Sequence, residues 1–177
     1  PLRDVYKRQD CLNGGSGMDF VDYSANTSAV TVNLTNWTAS GGWATGDSLG
    51  AIDGVIGTGF SDVITGFDQA SYTGADIFTN VLYGGAGNDT IDGRAGNDSL
   101  FGGADDDSLI GGAGADTLSG GAGNDTFSFD AQSGADAITD FNLTLVDGKT
   151  VDQIDVSGLI SASGRPVNWD DAVVGQD

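Results

Sequence analysis

Residues 84–128 read GGAGNDTID (84–92), GRAGNDSLF (93–101), GGADDDSLI (102–110), GGAGADTLS (111–119) and GGAGNDTFS (120–128), five nonapeptides without a break. Position one is always Gly and position three always Ala. Position six is Asp89, Asp98, Asp107, Asp116 and Asp125, and position eight is Ile91, Leu100, Leu109, Leu118 and Phe127. A fixed short period marks a solenoid, each repeat being one unit that buries its apolar face only against its neighbours. Glycines at positions one, two and four suit the positive φ angles and close backbone approach of a tight turn. One apolar residue at position eight, between small or polar neighbours, gives one inward side chain per short strand.

The pattern GGxGxDxUx resembles the calcium-binding nonapeptide of RTX, or haemolysin-type, repeat proteins, and in particular the C-terminal β-roll of serralysin-like secreted proteins. That resemblance implies an all-β fold, a right-handed parallel β-roll in which two nonapeptides make one turn of the solenoid. The six-residue GGxGxD stretch turns and the remaining three residues form a strand. Turns that stack are then two repeats apart, with Asp89, Asp107 and Asp125 on one edge and Asp98 and Asp116 on the other. Stacked strands lie about 4.8 Å apart, so neighbouring carboxylates repel by roughly 1 kcal/mol even at the dielectric of water. A cation between them is the expectation.

The resemblance implies one Ca²⁺ per stacked pair of turns. Its ligands are both position-six carboxylates, the carbonyls of positions two and four of the first turn, and those of positions one and three of the second. In this chain the first set is Gly85, Gly87 and Asp89 with Gly102, Ala104 and Asp107. The second is Arg94, Gly96 and Asp98 with Gly111, Ala113 and Asp116. The third is Gly103, Asp105 and Asp107 with Gly120, Ala122 and Asp125. Arg94 and Asp105 replace glycines, and Asp105 needs a backbone angle that Asp tolerates less easily than Gly. Asp106 is read as solvated charge.

Counting back from Gly84 in nines gives units beginning at Ala75, Gly66, Gly57 and Ser48. Their sixth positions are Asn80, Ser71, Asp62 and Asp53, and their eighth positions Leu82, Thr73, Ile64 and Val55. The roll is expected to continue upstream as metal-poor turns, with residues 66–80 its weakest part and a candidate protruding loop. GGSGMDFVD (14–22) matches the motif with Asp19 at position six but lies out of phase. Between them AVTVNL (29–34) alternates as a half-buried strand does, and TASGGWATGD (38–47) reads as a loop. Trp37 and Trp43 beside it read as caps on a thin core in preference to a carbohydrate-binding pair. Downstream, residues 127–141 and 151–159 resemble the segment that closes the roll in serralysin-type proteases. A small antiparallel cap is therefore expected, with a short helix near Trp169.

The organisation expected is an unrelated leader at 1–9, a degenerate unit with connector strands at 10–56, metal-poor turns at 57–83, calcium-binding repeats at 84–128 and a capping region at 129–177. The leader lacks the apolar run of a signal peptide, and the chain reads as a fragment of a longer protein.

Composition narrows the function classes. All 26 acidic residues are Asp, Glu and His are absent, Gly occurs 30 times and the net charge is −20. Without His there is no Ser/His/Asp relay and no HExxH helix. Without Glu there is no EF-hand loop ending in a bidentate Glu. GDSLG (46–50) fits a GxSxG elbow, yet Ser48 has no histidine to serve as its base. The NDT and NDS glycosylation patterns at 88–90, 97–99 and 124–126 are by-products of the repeat. Six Lys and Arg supply no basic footprint for nucleic acid, and no apolar run suits membrane insertion. The single Cys11 makes no internal disulfide.

The reading is a non-catalytic, calcium-binding module of a secreted bacterial protein, at an extracellular or cell-surface location. The type I secretion machinery is the partner that the resemblance implies. The alternatives are the C-terminal part of a secreted enzyme (serralysin-like protease, lipase or alginate epimerase) or of a surface adhesin. The repeats are expected to be disordered without calcium and to fold cooperatively with it.

Overall fold

In the computed structural model, which describes residues 2–3, 10–67, 79–146 and 149–159, the chain winds into two sheets that face each other across a single column of apolar side chains. One sheet is parallel throughout. It runs Leu2–Arg3, Phe20–Asp22, Gly54–Ile56, Val81–Ala86, Ser99–Ala104, Thr117–Ala122 and Ala137–Ile138. The other begins with five parallel neighbours: Gln153–Gly158, Thr126–Asp130, Ser108–Ile110, Thr90–Arg94 and Val63–Phe67. Thr31–Asn33 continues it in parallel, Thr38–Ser40 and Asp47–Gly50 add antiparallel strands, and Cys11–Asn13 closes it parallel to the last.

The nine-residue frame dictates this arrangement. Consecutive nonapeptides fall in opposite sheets, and each strand stacks on the one two repeats further along, as Leu100 does on Leu118 and Ile91 on Leu109. Every position-eight side chain of the five repeats is fully buried, as are Leu82, Ile64 and Val55 upstream. Their flanking residues face outward in the alternation a strand requires. Between Val55 and Leu82, and between Ile64 and Ile91, the stacked partners are separated by three repeat lengths instead of two. The interruption adds one whole repeat, so the count in nines stays in phase across it.

Three features differ from the sequence reading. The stretch 38–47 is a strand at Thr38–Ser40 and a 3-10 turn at Gly42–Ala44, with Ala39 and Ala44 buried. Glycines drew the loop reading, but the Thr-Ala-Ser alternation pairs Ala39 with Val32. Secondly, Ala137–Ile138 and Gln153–Gly158 extend the two sheets in parallel beyond the repeats, and the antiparallel part of this end is the pair Leu145–Val146 with Lys149–Thr150. Thirdly, positive φ occurs at positions two and four of the repeats but not at position one, for which a different reason appears below. Arg94 (φ 75°) and Asp105 (φ 77°) hold the left-handed angle of the glycines they replace. Ser71, Thr73 and the region near Trp169 lie outside the described residues, as do most of residues 1–9. Trp37 packs edge-on against Phe67, with ring centroids 4.8 Å apart.

Candidate metal centre

Each repeat turn is held by its aspartate. The Asp89 amide donates to Asp107 Oδ1 at 2.8 Å, the Asp107 amide to Asp125 Oδ1 at 3.0 Å, and on the opposite edge the Asp98 amide donates to Asp116 Oδ1 at 2.8 Å. A carboxylate therefore replaces a strand partner at the bend, where the backbone N–H has left the sheet. The other oxygen, Oδ2, folds back over the first glycine of the same turn. A methyl group on Gly84, Gly93, Gly102, Gly111 or Gly120 would collide with the Oδ2 of Asp89, Asp98, Asp107, Asp116 or Asp125 respectively. Position one is glycine to make room for the carboxylate, not for its φ.

The same places receive a carbonyl from the next turn. Gly102 O lies 2.8 Å from where a Cβ of Gly84 would sit, Gly111 O lies 2.6 Å from that of Gly93, and Gly120 O lies 2.6 Å from that of Gly102. Asp89 is thereby brought together with Gly102, Asp98 with Gly111, and Asp107 with Gly120. The carbonyls of Gly85, Gly103, Arg94, Gly96 and Asp105 each face the matching glycine one turn on. Other predicted residues are engaged elsewhere. Gly85, Ala104 and Ala122 take part in the inter-turn ladder, and Ala113 exchanges bonds with Arg94 O (2.7 Å) and Gly96 N (2.9 Å). The Gly87 amide donates to Asp105 Oδ2 at 3.1 Å. Asp106 is exposed and accepts from Asn124.

Electrostatics set these turns apart. Asp89, Asp98, Asp107, Asp116 and Asp125 are all buried, and the Oδ2 of each lacks a hydrogen-bond partner among the described residues. Burial pushes the carboxyls of Asp89, Asp98 and Asp107 up to about 7 from the ordinary 3.8, opposed by the backbone N–H that each accepts. Stacked aspartates raise them further, Asp107 acting on Asp89, Asp116 on Asp98 and Asp125 on Asp107. Asp116 and Asp125 are raised by the same desolvation. A buried anionic oxygen with no partner is costly, and the nearby Arg94 guanidinium is paired with Asp92 at 3.0 Å. Among the described residues no three His, Cys, Asp or Glu side chains cluster closely enough to hold an ion themselves. Carbonyls must complete any site, and an all-oxygen set of short carboxylates and carbonyls fits calcium.

Two further aspartates join the ladders. The Asp116 amide donates to Asp136 Oδ1 at 3.0 Å, Asp136 Oδ2 is buried without a partner, and Gly134 lies against Gly114 O. AQSGAD (131–136) thus forms one more turn, concealed because Asp136 stacks on Asp116 from slightly more than two full repeats away. The Asp125 amide donates to Asp152 Oδ1 at 3.2 Å. Asp152 keeps the count in nines from Asp125, and continuing that count downstream would have found it. Its Oδ2 accepts the Asn142 amide at 2.6 Å.

Upstream turns are closed differently. Asp62 Oδ2 accepts the Thr58 amide at 2.6 Å, and its Oδ1 accepts the Thr58 hydroxyl at 2.9 Å and the Val30 amide at 2.7 Å. Asn80, at the equivalent place on the other edge, is a neutral amide bonded to Phe67 N and Asp53 O.

The model of the RTX calcium-binding nonapeptide repeat matches residues 74–109 and 101–138, in four copies. No curated protein matches the chain. The chain therefore carries RTX calcium-binding nonapeptide repeats, matched over residues 74–138.

Proposed function

We propose that the chain is the calcium-binding β-roll module of an exported bacterial protein, which folds when it meets calcium outside the cell and stabilises the exported polypeptide. The observation that carries this is the series of buried Asp Oδ2 atoms without a partner, one in each of the five nonapeptides. A repeat that needed no ion would bury a hydroxyl or amide beside that oxygen, as the Asp62 turn does. In this reading Gly85, Gly87 and Asp89 bind one ion with Gly102, Ala104 and Asp107. Arg94, Gly96 and Asp98 bind another with Gly111, Ala113 and Asp116. Gly103, Asp105 and Asp107 bind a third with Gly120, Ala122 and Asp125.

The charge supports conditional folding. A net −20 with stacked carboxylates opposes compaction, and one apolar side chain per nine residues does not offset the ordering of that backbone. Extracellular calcium modules bind at about 10⁻⁴ to 10⁻³ M, so the repeats stay open in a low-calcium cytosol, in a form suited to type I export, and close outside. The module itself is non-catalytic. Circular dichroism during a calcium titration, with calorimetry for the stoichiometry, tests the proposal: a cooperative gain of β signal and at least three bound ions is expected. A fully formed β spectrum in excess chelator, or no bound ion, defeats it.

A further inference from the structure

We infer that residues 10–67 are a calcium-independent half of the roll, on which the calcium-dependent turns are assembled. The inference rests on the calcium reading of residues 84–128 and adds where folding starts. Three sets of observations carry it.

The first is how the upstream carboxylates are satisfied. Asp62 has both oxygens occupied, by Thr58 and Val30. Asp47, which is 2 % exposed, accepts the Asp10 amide on one oxygen and the Tyr23 hydroxyl on the other, at 3.0 and 3.1 Å. Asn80 carries no charge and bonds through both ends of its amide. Among the described upstream residues Asp19, at a distal rung, is the one aspartate with a carboxylate oxygen buried and without a partner.

The second is the core. Among the described residues, eleven of the 17 buried apolar side chains lie within residues 10–67 and six within 80–128, so the upstream half buries nearly twice as many for a similar length. It also gains width from the antiparallel strands Thr31–Asn33, Thr38–Ser40 and Asp47–Gly50, which the repeats lack. More apolar burial per ordered residue is what allows a segment to fold without an ion.

The third is the joint. The Asp62 amide donates to Asp89 Oδ1 at 2.7 Å and the Asn80 amide to Asp98 Oδ1 at 2.6 Å. These bonds bridge from the ion-free turns to the first aspartate of each calcium ladder. An upstream half already folded presents the Asp62 N–H to one edge and fixes the Asp89 carboxylate before any ion arrives, while its Asp53 carbonyl anchors Asn80, whose own N–H takes Asp98 at the other edge. A solenoid that needs a neighbour to template each turn then has its template built in.

Hydrogen exchange of the whole 177-residue chain, with mass-spectrometric readout in excess chelator and again in millimolar calcium, tests this directly. In chelator, peptides from 20–67 are expected to exchange at least about a hundredfold more slowly than peptides from 99–128, and calcium brings the second group to the level of the first. Upstream peptides as unprotected as the repeats in chelator overturn the inference, and so does equal protection of both halves there. Calorimetry on the same sample separates the two readings: bound calcium with an unprotected upstream half overturns this inference alone, whereas no bound calcium overturns the reading beneath it. Thr58→Val, which removes the hydroxyl and keeps the amide, is expected to speed upstream exchange in chelator about tenfold. Thr58→Ser restores it.

Discussion

The turns at 57–62 and 84–89 share one nine-residue frame but differ in what meets the aspartate and in backbone angle, since Gly85 and Gly87 hold positive φ and no residue of 57–62 does. In both, an aspartate at position six is buried, offers Oδ1 to a backbone N–H one rung back, and lays Oδ2 over the first glycine of its turn. The Thr58 amide then bonds Asp62 Oδ2, while nothing among the described residues bonds Asp89 Oδ2. The first solution is permanent and the second waits on its surroundings. On the reading proposed above, a fold that mixes them has one half whose carboxylates, Asp19 apart, are satisfied by the protein and one half whose stability is set by an outside ion.

The sharpest way to break this comparison is to remove a shared ligand. Asp107 belongs to two of the proposed sites, so Asp107→Asn is expected to abolish two bound ions and raise the calcium concentration for half-folding at least about tenfold. Asp62→Asn should leave the calorimetric stoichiometry unchanged. Equal ion counts in the two variants would remove the distinction between the turns.

Acidity probes the same contrast. The carboxyls of Asp89, Asp98 and Asp107 stand at about 7 in the folded chain against an ordinary 3.8. A group whose folded value is raised favours the folded state when protonated, so its contribution is fully present below about 4 and is lost as pH rises from there through 7. In chelator the repeats should therefore gain β signal on acidification from pH 7.5 to 4.5. In calcium the same acidification should weaken binding, because protons compete for the oxygens that would hold the ion. A chelated chain whose circular dichroism is flat across this range would show that the repeat carboxylates are not buried in that way.

The parts of this architecture that were legible in the sequence are those that repeat. Ile64, Leu82 and Val55 emerge from counting in nines because the extra length at the interruption is itself one whole repeat. Asp136 does not, because its turn arrives two residues late and without the leading glycines. Thr58 is the more instructive case. At position two a threonine reads as a lost glycine, and only the folded chain shows its hydroxyl and amide reaching Asp62 at position six. The frame is a property of spacing and can be counted. What neutralises each carboxylate depends on side chains meeting around a bend, which spacing does not encode.

First-position glycines offer a finer test. Gly102→Ala places a methyl against Asp107 Oδ2 and within 2.6 Å of Gly120 O. It is expected to cost about 2 to 3 kcal/mol in calcium-loaded stability. Gly59→Ala, at the third position of the Asp62 turn and away from its carboxylate, meets nothing within 4 Å and should stay within about 0.5 kcal/mol. Denaturant melts in calcium compare them, and similar losses at both sites would mean that the carboxylate does not dictate position one.

The smallest expected effect lies within the calcium turns, at the two residues that hold a glycine's conformation. Arg94 and Asp105 sit at φ 75° and 77°, where a side chain costs about 1 kcal/mol relative to glycine. Arg94→Gly gives up an exposed ion pair with Asp92, which contributes little in water. Asp105→Gly gives up the bond from the Gly87 amide and one of the charges that raise Asp89 and Asp107. Relief of the left-handed strain, less glycine's extra freedom in the unfolded chain, should leave each variant about 0.5 kcal/mol more stable in a calcium-loaded denaturant melt. The chelated chain tells them apart: Asp105→Gly should favour folding there by lowering the repulsion, whereas Arg94→Gly removes a positive charge beside Asp92 and should not.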